Sequence, residues 1–218
     1  MDVSVWKPQR VGAGPAELPN GVAPAGTRGK ILRAALALFA ESGYSAVSIR
    51  RIAGEVGITS ASLYAHYRSK EQILAELVLI GHRELHARLT NALAAAEPAA
   101  VAQLSALVRE HVLLHTDFPL LAVVTNSELH ALPEELVAPA LELRSSCSRL
   151  LIDSLELGVR AGVFRIENVQ LGAIAIGGMA MQVAQWFGPD APFAPDEVAD
   201  NYVRYALRIV GADEGAVR

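Results

Sequence analysis

The chain has 218 residues, 52% of them hydrophobic and 19% charged, which excludes general disorder and supplies a core for one or two domains. Its 37 alanines and 28 leucines favour helix, and 6% aromatics argue against an all-β chain. The net charge of -4 hides a split: residues 25–75 carry seven Lys and Arg against three Glu, while residues 76–218 carry ten basic against eighteen acidic side chains. A short basic segment on a larger acidic body points to a local polyanion site.

Residues 1–26 hold four prolines and four glycines without periodicity and lack the apolar stretch of a signal peptide, so a flexible N-terminal arm is expected. Order is expected from Thr27, read as an N-cap, followed by Ile31, Ala35, Leu38 and Phe39 on one helical face. Gly43 ends this helix. Ser48 caps a short second helix whose inner face is Ile49, Ile52, Ala53 and Val56, and Gly57 breaks it. A third short helix is expected over 59–66. Ser69 opens a fourth with the S-x-x-Q capping pattern, running to about Ala95 with Ile73, Leu77, Ile80, Leu85 and Leu89 inward.

Prolines punctuate the remainder, and helices are expected near 99–116, 118–130, 134–160, 168–187 and 196–210. No alternating apolar run signals a strand, so the fold class is all-α. Cys147 is the single cysteine; it can form neither an intrachain disulfide nor a thiolate metal cluster, and it suits a reducing, cytoplasmic setting. Residues 171–187 are apolar and uncharged, but they are short for a membrane span and contain Gln182 and Gln185. A helix buried on two faces is expected there, with no membrane contact.

Residues 48–66 read as helix, glycine-containing turn, helix, the pattern whose second helix enters the major groove of DNA. Leu63 and Tyr67 stand at i and i+4 and should pack inward. That leaves Ala61, Ser62 and Ala65 outward, flanked by Tyr64 and His66. Small side chains admit close approach to bases, and Arg50 on the preceding helix can reach guanine bidentately. Tyr64, His66, Lys70 and the capped helix starts at Ser48 and Ser69 suit phosphate oxygens.

The stretch 31–74 resembles the N-terminal domain of the TetR family of transcriptional regulators. The resemblance lies in Leu38-Phe39-Ala40 followed by Gly43-Tyr44, in Ser48-Ile49-Arg50-Arg51-Ile52-Ala53, in Val56-Gly57-Ile58, in Leu63-Tyr64-x-His66-Tyr67 and in Ser69-Lys70-Glu71. It implies an all-helical homodimer of about nine helices. A DNA-binding domain at 27–72 precedes a ligand-binding and dimerisation domain at 73–212, with a tail at 213–218. It implies a repressor that binds a palindromic double-stranded DNA operator and is released by a small effector, with no cofactor and no catalysis. By position match, Ser48, Arg50, Thr59, Ser60, Ala61, Ser62, Tyr64, His66 and Lys70 fall where family members touch DNA. The family's usual aromatic-Phe at the end of the third helix is here His66-Tyr67.

Residues 107–135 and 158–210 resemble, more loosely, the branch that regulates fatty-acid or sterol catabolism and includes acyl-CoA sensors. A hydrophobic effector, an acyl-CoA or lipid-derived compound, is therefore expected in the acidic body. Candidate apolar lining residues are Phe118, Leu121, Val124, Leu129, Leu151, Met179 and Met181, and core packing explains each equally well. Candidate polar members are His111, His115, Asn126, Glu128, Arg144 and Gln182, with Arg144 or Arg149 available for phosphates. The dimer is expected on the last two helices, through Gly177, Met181 and Trp186 on the first and Tyr202, Ala206 and Ile209 on the second. His82/His86 and His111/His115 stand at i and i+4, a spacing that could hold a metal, so a metal-responsive regulator is one alternative. A helical enzyme is the other, but no nucleophile–base constellation stands out.

Overall fold

The computed structural model describes residues 16–22 and 24–212. Among these residues there are nine α-helices and one 3-10 turn, and no strand. The helices are α1 (Gly26–Ser42), α2 (Ile49–Val56), α3 (Ser60–Tyr64), α4 (Lys70–Ala95), α5 (Ala100–Asp117), α6 (Pro119–Ser127), α7 (Glu134–Arg160), α8 (Val169–Trp186) and α9 (Pro195–Ile209); the 3-10 turn is Leu129–Ala131. None of the described helices is long and apolar enough to cross a membrane.

Packing divides the chain into two units, and the division is not at 72/73. The first unit runs to Glu84 and includes Phe118–Glu142 and Ala184–Asp190; the second takes Leu85–Asp117, Leu143–Val183 and the chain from Ala191 onward. The boundaries at Glu84 and Glu142 fall inside α4 and α7. As a result α6 belongs with α1–α4.

In the first unit Ile31, Leu32, Leu36, Phe39, Ile52, Leu63, Ile73, Leu74 and Leu77 are buried, and Leu120, Leu121 and Val124 of α6 enter the same core. Each such aliphatic side chain contributes about 1.5–3 kcal/mol by leaving water. The close approach of α6 to α4 requires Gly81, where a Cβ would lie only 2.9 Å from both side-chain branches of Thr125. Two expectations are corrected here. Thr27 is not the cap of α1; Ala25 holds that position and makes no side-chain cap bond. The entry into α1 is set instead by packing: Leu18 is 6% exposed in this core, and Ala16 and Val22 lie against it. Residues 16–22 are therefore a docked part of the unit rather than a free arm; positions 1–15 of that arm, and the tail at 213–218, lie outside the described residues.

Local signals account for the next three helices. Ser48 Oγ accepts the Arg51 N–H at 3.2 Å and Thr59 Oγ1 accepts the Ser62 N–H at 3.1 Å, so a hydroxyl caps both α2 and α3. Gly57 ends α2 at φ 76°, ψ 30°, a left-handed conformation that costs a glycine little. At the start of α4, Ser69 Oγ accepts the Gln72 N–H at 3.4 Å, while Gln72 Oε1 accepts from Arg68, one residue earlier than a full capping box demands.

The second unit has a core of Ala100, Leu104 and Val108 from α5, Leu155 from α7, Ala173 and Ile176 from α8, and Ala206 and Leu207 from α9. Arg109 of α5 pairs with both Asp196 and Asp200 of α9. A smaller cluster joins Leu89, Leu107 and Cys147, with Leu85, Leu93, Leu150 and Leu151 against it. Burial pushes the Cys147 thiol up to about 11, which keeps it protonated and unreactive.

Candidate functional site

The helix-turn-helix presents the face expected from its spacing. Leu63 and Tyr67 are buried, whereas Ala61, Ser62, Ala65 and His66 are exposed and Tyr64 is 52% exposed. Arg50 is exposed on the first turn of α2, and Ser60 is half-buried at the first position of α3. Ser48 and Thr59 use an oxygen lone pair in capping, which leaves each hydroxyl proton able to donate to a phosphate. Arg51 is tied back to α1, donating to Ser42 Oγ at 3.0 Å and pairing with Glu41 at 3.2 Å.

Behind this face the polar groups are tied together. Tyr67 carries a hydroxyl that the usual phenylalanine lacks, and a buried hydroxyl needs a partner. Arg28 Nε donates to it at 3.2 Å, stacks its guanidinium 5.1 Å from the ring centroid, and pairs with Glu76 at 2.6 Å. Burial raises the Tyr67 phenol above its ordinary range. Lys70, expected at a phosphate, is differently engaged: its ammonium donates to the carbonyls of Tyr44 and Val47, both at 2.9 Å, and lies 3.9 Å from the Tyr44 ring centroid. At most one of its three N–H bonds is left over for DNA. Tyr44 donates its hydroxyl to Glu71 at 3.0 Å, and Glu71 is held below the usual carboxylate range by its own backbone N–H and the Ser69 hydroxyl.

Glu128 is also elsewhere than expected. Its Oε1 accepts the Tyr44 backbone N–H at 3.3 Å, on the turn between α1 and α2. Leu121 is buried, and half-buried Phe118 packs against that same first-unit core, as does Leu129. Val124 is buried there too, and Asn126 is half-buried. Of the expected effector residues, the second unit holds His111, His115, Arg144, Leu151, Met179, Met181 and Gln182. His115 is 2% exposed and its Nδ1–H donates to the His111 carbonyl at 2.8 Å, with the two rings 4.9 Å apart. Burial drives His111 down to about 3, with His115 and Arg144 adding to the shift, and drives His115 down to about 4. Both are neutral at pH 7. His111 Nε2 is a buried nitrogen without a hydrogen-bond partner. His111 stands one turn beyond Leu107, and Arg144 one turn before Cys147, so this polar group adjoins the apolar cluster around Leu89. Gln182 is exposed instead. Among the described residues, no three His, Cys, Asp or Glu side chains come together as a metal site.

Of the two faces of α8 expected to be buried, one against the subunit core and one against a partner, the single chain shows the first. Gly172, Ala173, Ile176, Ala180 and Val183 are buried, whereas Leu171 at 64% and Ile174 at 69% are exposed together with Ala175 and Gln182. These exposed positions repeat at helical spacing and form one stripe, which Gly177 and Met181 flank. On α9, Ile209 and Tyr205 are exposed at 41% and 45%. Ala206, expected at the dimer contact, is fully buried in the unit's own core, and Tyr202 is half-buried against it. Of the three α9 positions expected at the dimer contact, Ile209 is exposed, Tyr202 is half-buried and Ala206 faces inward. Trp186 is half-buried and meets Phe187 edge-on. Sequence reading missed Leu171, Ile174 and Tyr205; their signal was an apolar position left over after the core face was assigned.

Residues 31–77 match the family described as bacterial regulatory proteins, tetR family, and residues 97–210 match the tetracyclin repressor-like C-terminal domain. The transcriptional repressor KstR2 of Rhodococcus jostii is 29% identical over 201 residues, covering 88% of this chain and 94% of that protein. A solved tetR-family regulatory protein from Rhodococcus RHA1 superposes with a TM-score of 0.81 at 32% identity, over 88% of this chain and all of that one. The ketosteroid transcriptional regulator KstR2 of Mycobacterium tuberculosis superposes with a TM-score of 0.80 at 26% identity, over the same shares.

Proposed function

This chain belongs to the TetR family of bacterial regulatory proteins and is a ligand-responsive, DNA-binding transcriptional regulator, and from that premise we propose that it is a dimeric repressor released from a palindromic operator by a hydrophobic, lipid-derived effector. The observation that carries the DNA half is the outward face of α3, with Tyr64 exposed while Leu63 and Tyr67 anchor the helix. Arg50 makes the sequence-dependent contact, Ala61 and Ser62 sit against base edges, and Ser48, Thr59, Ser60, Tyr64 and His66 meet the phosphates. The working compartment is the cytoplasm, where the operator is.

The dimer reading is supported by the apolar stripe on α8. Leu171 and Ile174 are too exposed for a surface without a partner, and the glycine at 178 admits close helix approach. The effector reading is supported by the leucine cluster around Cys147 with His111, His115 and Arg144 beside it: apolar side chains with few polar groups at one end, which an apolar ligand could part. A sterol-derived or fatty acyl-CoA thioester suits it, with Arg144 toward the anionic part. The relatives named as KstR2 favour this class.

Selection from random duplexes should enrich a two-fold symmetric site; Arg50→Ala should weaken that site more than unrelated duplex, and Tyr64→Ala should weaken both. No enriched site at low and moderate salt would refute the proposed operator binding. Acyl-CoAs and steroid acids are then screened for release of the selected duplex. Ile174→Glu should convert the dimer to monomer by light scattering; a dimer that persists places the interface elsewhere.

A further inference from the structure

We propose that Glu128 is a positioning residue through which the end of α6 sets the helix-turn-helix; the regulatory part rests on the effector reading above. The turn at 43–47, which leads into α2, is gripped from two sides. From one side Lys70 donates to the carbonyls of Tyr44 and Val47 at 2.9 Å each. From the other, Glu128 Oε1 accepts the Tyr44 N–H at 3.3 Å. The two clamps carry opposite charge and act on both polar groups of one residue. Tyr44 itself is buried and packs edge-on against Phe39, with ring centroids 5.2 Å apart.

Glu128 is well placed to carry movement. It is the C-cap of α6, and its backbone N–H closes the last helical turn on Val124 at 3.0 Å. Thr125, three residues earlier, is pressed against Gly81 of α4 without space for a methyl group. A shift of α6 is therefore blocked from compressing toward Gly81 and must slide or turn. Either motion carries the Glu128 carboxylate away from Tyr44 N–H or draws the turn with it. Lys70 holds the other end of that turn to α4, so the strain appears in the orientation of α2 and α3.

The test uses full-length protein, the selected operator and a scrambled duplex of equal length. Glu128→Ala removes the acceptor; Glu128→Gln keeps an acceptor oxygen in place. Operator affinity should fall about tenfold in Glu128→Ala with scrambled-duplex affinity unchanged, as for loss of one bond to a charged acceptor. Amide exchange at Tyr44 should quicken, the unfolding midpoint should stay near wild type, and Glu128→Gln should recover most of the affinity. Equal losses on both duplexes, unchanged operator affinity, or a Glu128→Gln variant as impaired as Glu128→Ala would overturn the proposal. A long-chain acyl-CoA and a steroid carboxylic acid serve as release probes. Where one of them releases wild type, the release ratio should shrink in Glu128→Ala, and an unchanged ratio counts against coupling. If neither releases wild type, the effector class is wrong, while the duplex measurements still decide whether Glu128 positions the turn.

Discussion

Acid should destabilise this protein through His111 and His115, and the size of the effect follows from their burial. Their folded values, about 3 and about 4, lie below the ordinary histidine value of 6.5. The unfolded chain therefore binds more protons than the folded one between those limits, and stability rises with pH across that window and falls as pH drops. Each histidine contributes a slope of about 1.4 kcal/mol per pH unit well below 6.5. Between pH 7 and pH 5 each loses just under about 2 kcal/mol, or about 3–4 kcal/mol for the pair. With a urea dependence of about 2 kcal/mol per molar, that is a midpoint shift of about 1.5–2 M. The assay is urea unfolding at fixed protein concentration, because dimerisation makes the midpoint concentration-dependent. His111→Leu/His115→Leu should remove most of the dependence between pH 7 and 5, and each single variant about half. A wild-type loss below about 1 kcal/mol, or a double variant with the wild-type slope, would falsify the assignment of neutral buried imidazoles.

The Arg28–Tyr67 contact predicts an asymmetry. Tyr67→Phe leaves Arg28 paired with Glu76 and should cost about 0.5–1.5 kcal/mol, whereas Arg28→Ala removes the donor to Tyr67 and the ion pair with Glu76 together and should cost more, about 1–3 kcal/mol. In the double variant the costs should fall short of additivity, and a strictly additive cycle refutes the contact. Gly81→Ala should fail to stabilise α4 despite the better helix propensity of alanine, losing about 1 kcal/mol or more to the clash with Thr125. Thr125→Ala in the same chain should restore it, and a more stable Gly81→Ala protein shows that the helices are not so close.

What was legible in the sequence was what neighbouring residues decide. The caps at Ser48 and Thr59, the glycine at 57 and the spacing of Leu63 and Tyr67 act within four residues, and they placed α2 and α3 and their buried face. Helix number and order followed from the prolines for the same reason. What was not legible depends on partners far along the chain. Arg28 finds Tyr67 across 39 positions and Tyr44 finds Glu128 across 84. Nothing local separates a lysine meant for phosphate from one meant for two carbonyls. On α9 the inward place of Ala206 was not legible because Ala206 and Tyr205 both fit an apolar stripe, and only the presence of Leu155, Ile176 and other second-unit core residues tells which is inward.

The expected boundary at 72/73 followed the length of the DNA-binding motif, but packing follows apolar faces. α6 carries Leu120, Leu121 and Val124 on its inner side, and those residues complete the core under α1–α4. A DNA-reading unit that closed on itself at residue 72 would leave that core short of one wall. The lack is filled by a helix from the middle of the chain, so the helices that read DNA cannot settle independently of α6. That arrangement gives regulation a physical route. No long-range field is needed when the C-cap residue of α6 already bonds to the turn that leads into α2. The charge split along the chain works in the same direction: an acidic surplus beyond residue 75 disfavours DNA there and leaves it to the net-positive segment 25–75, which holds the capped helix starts.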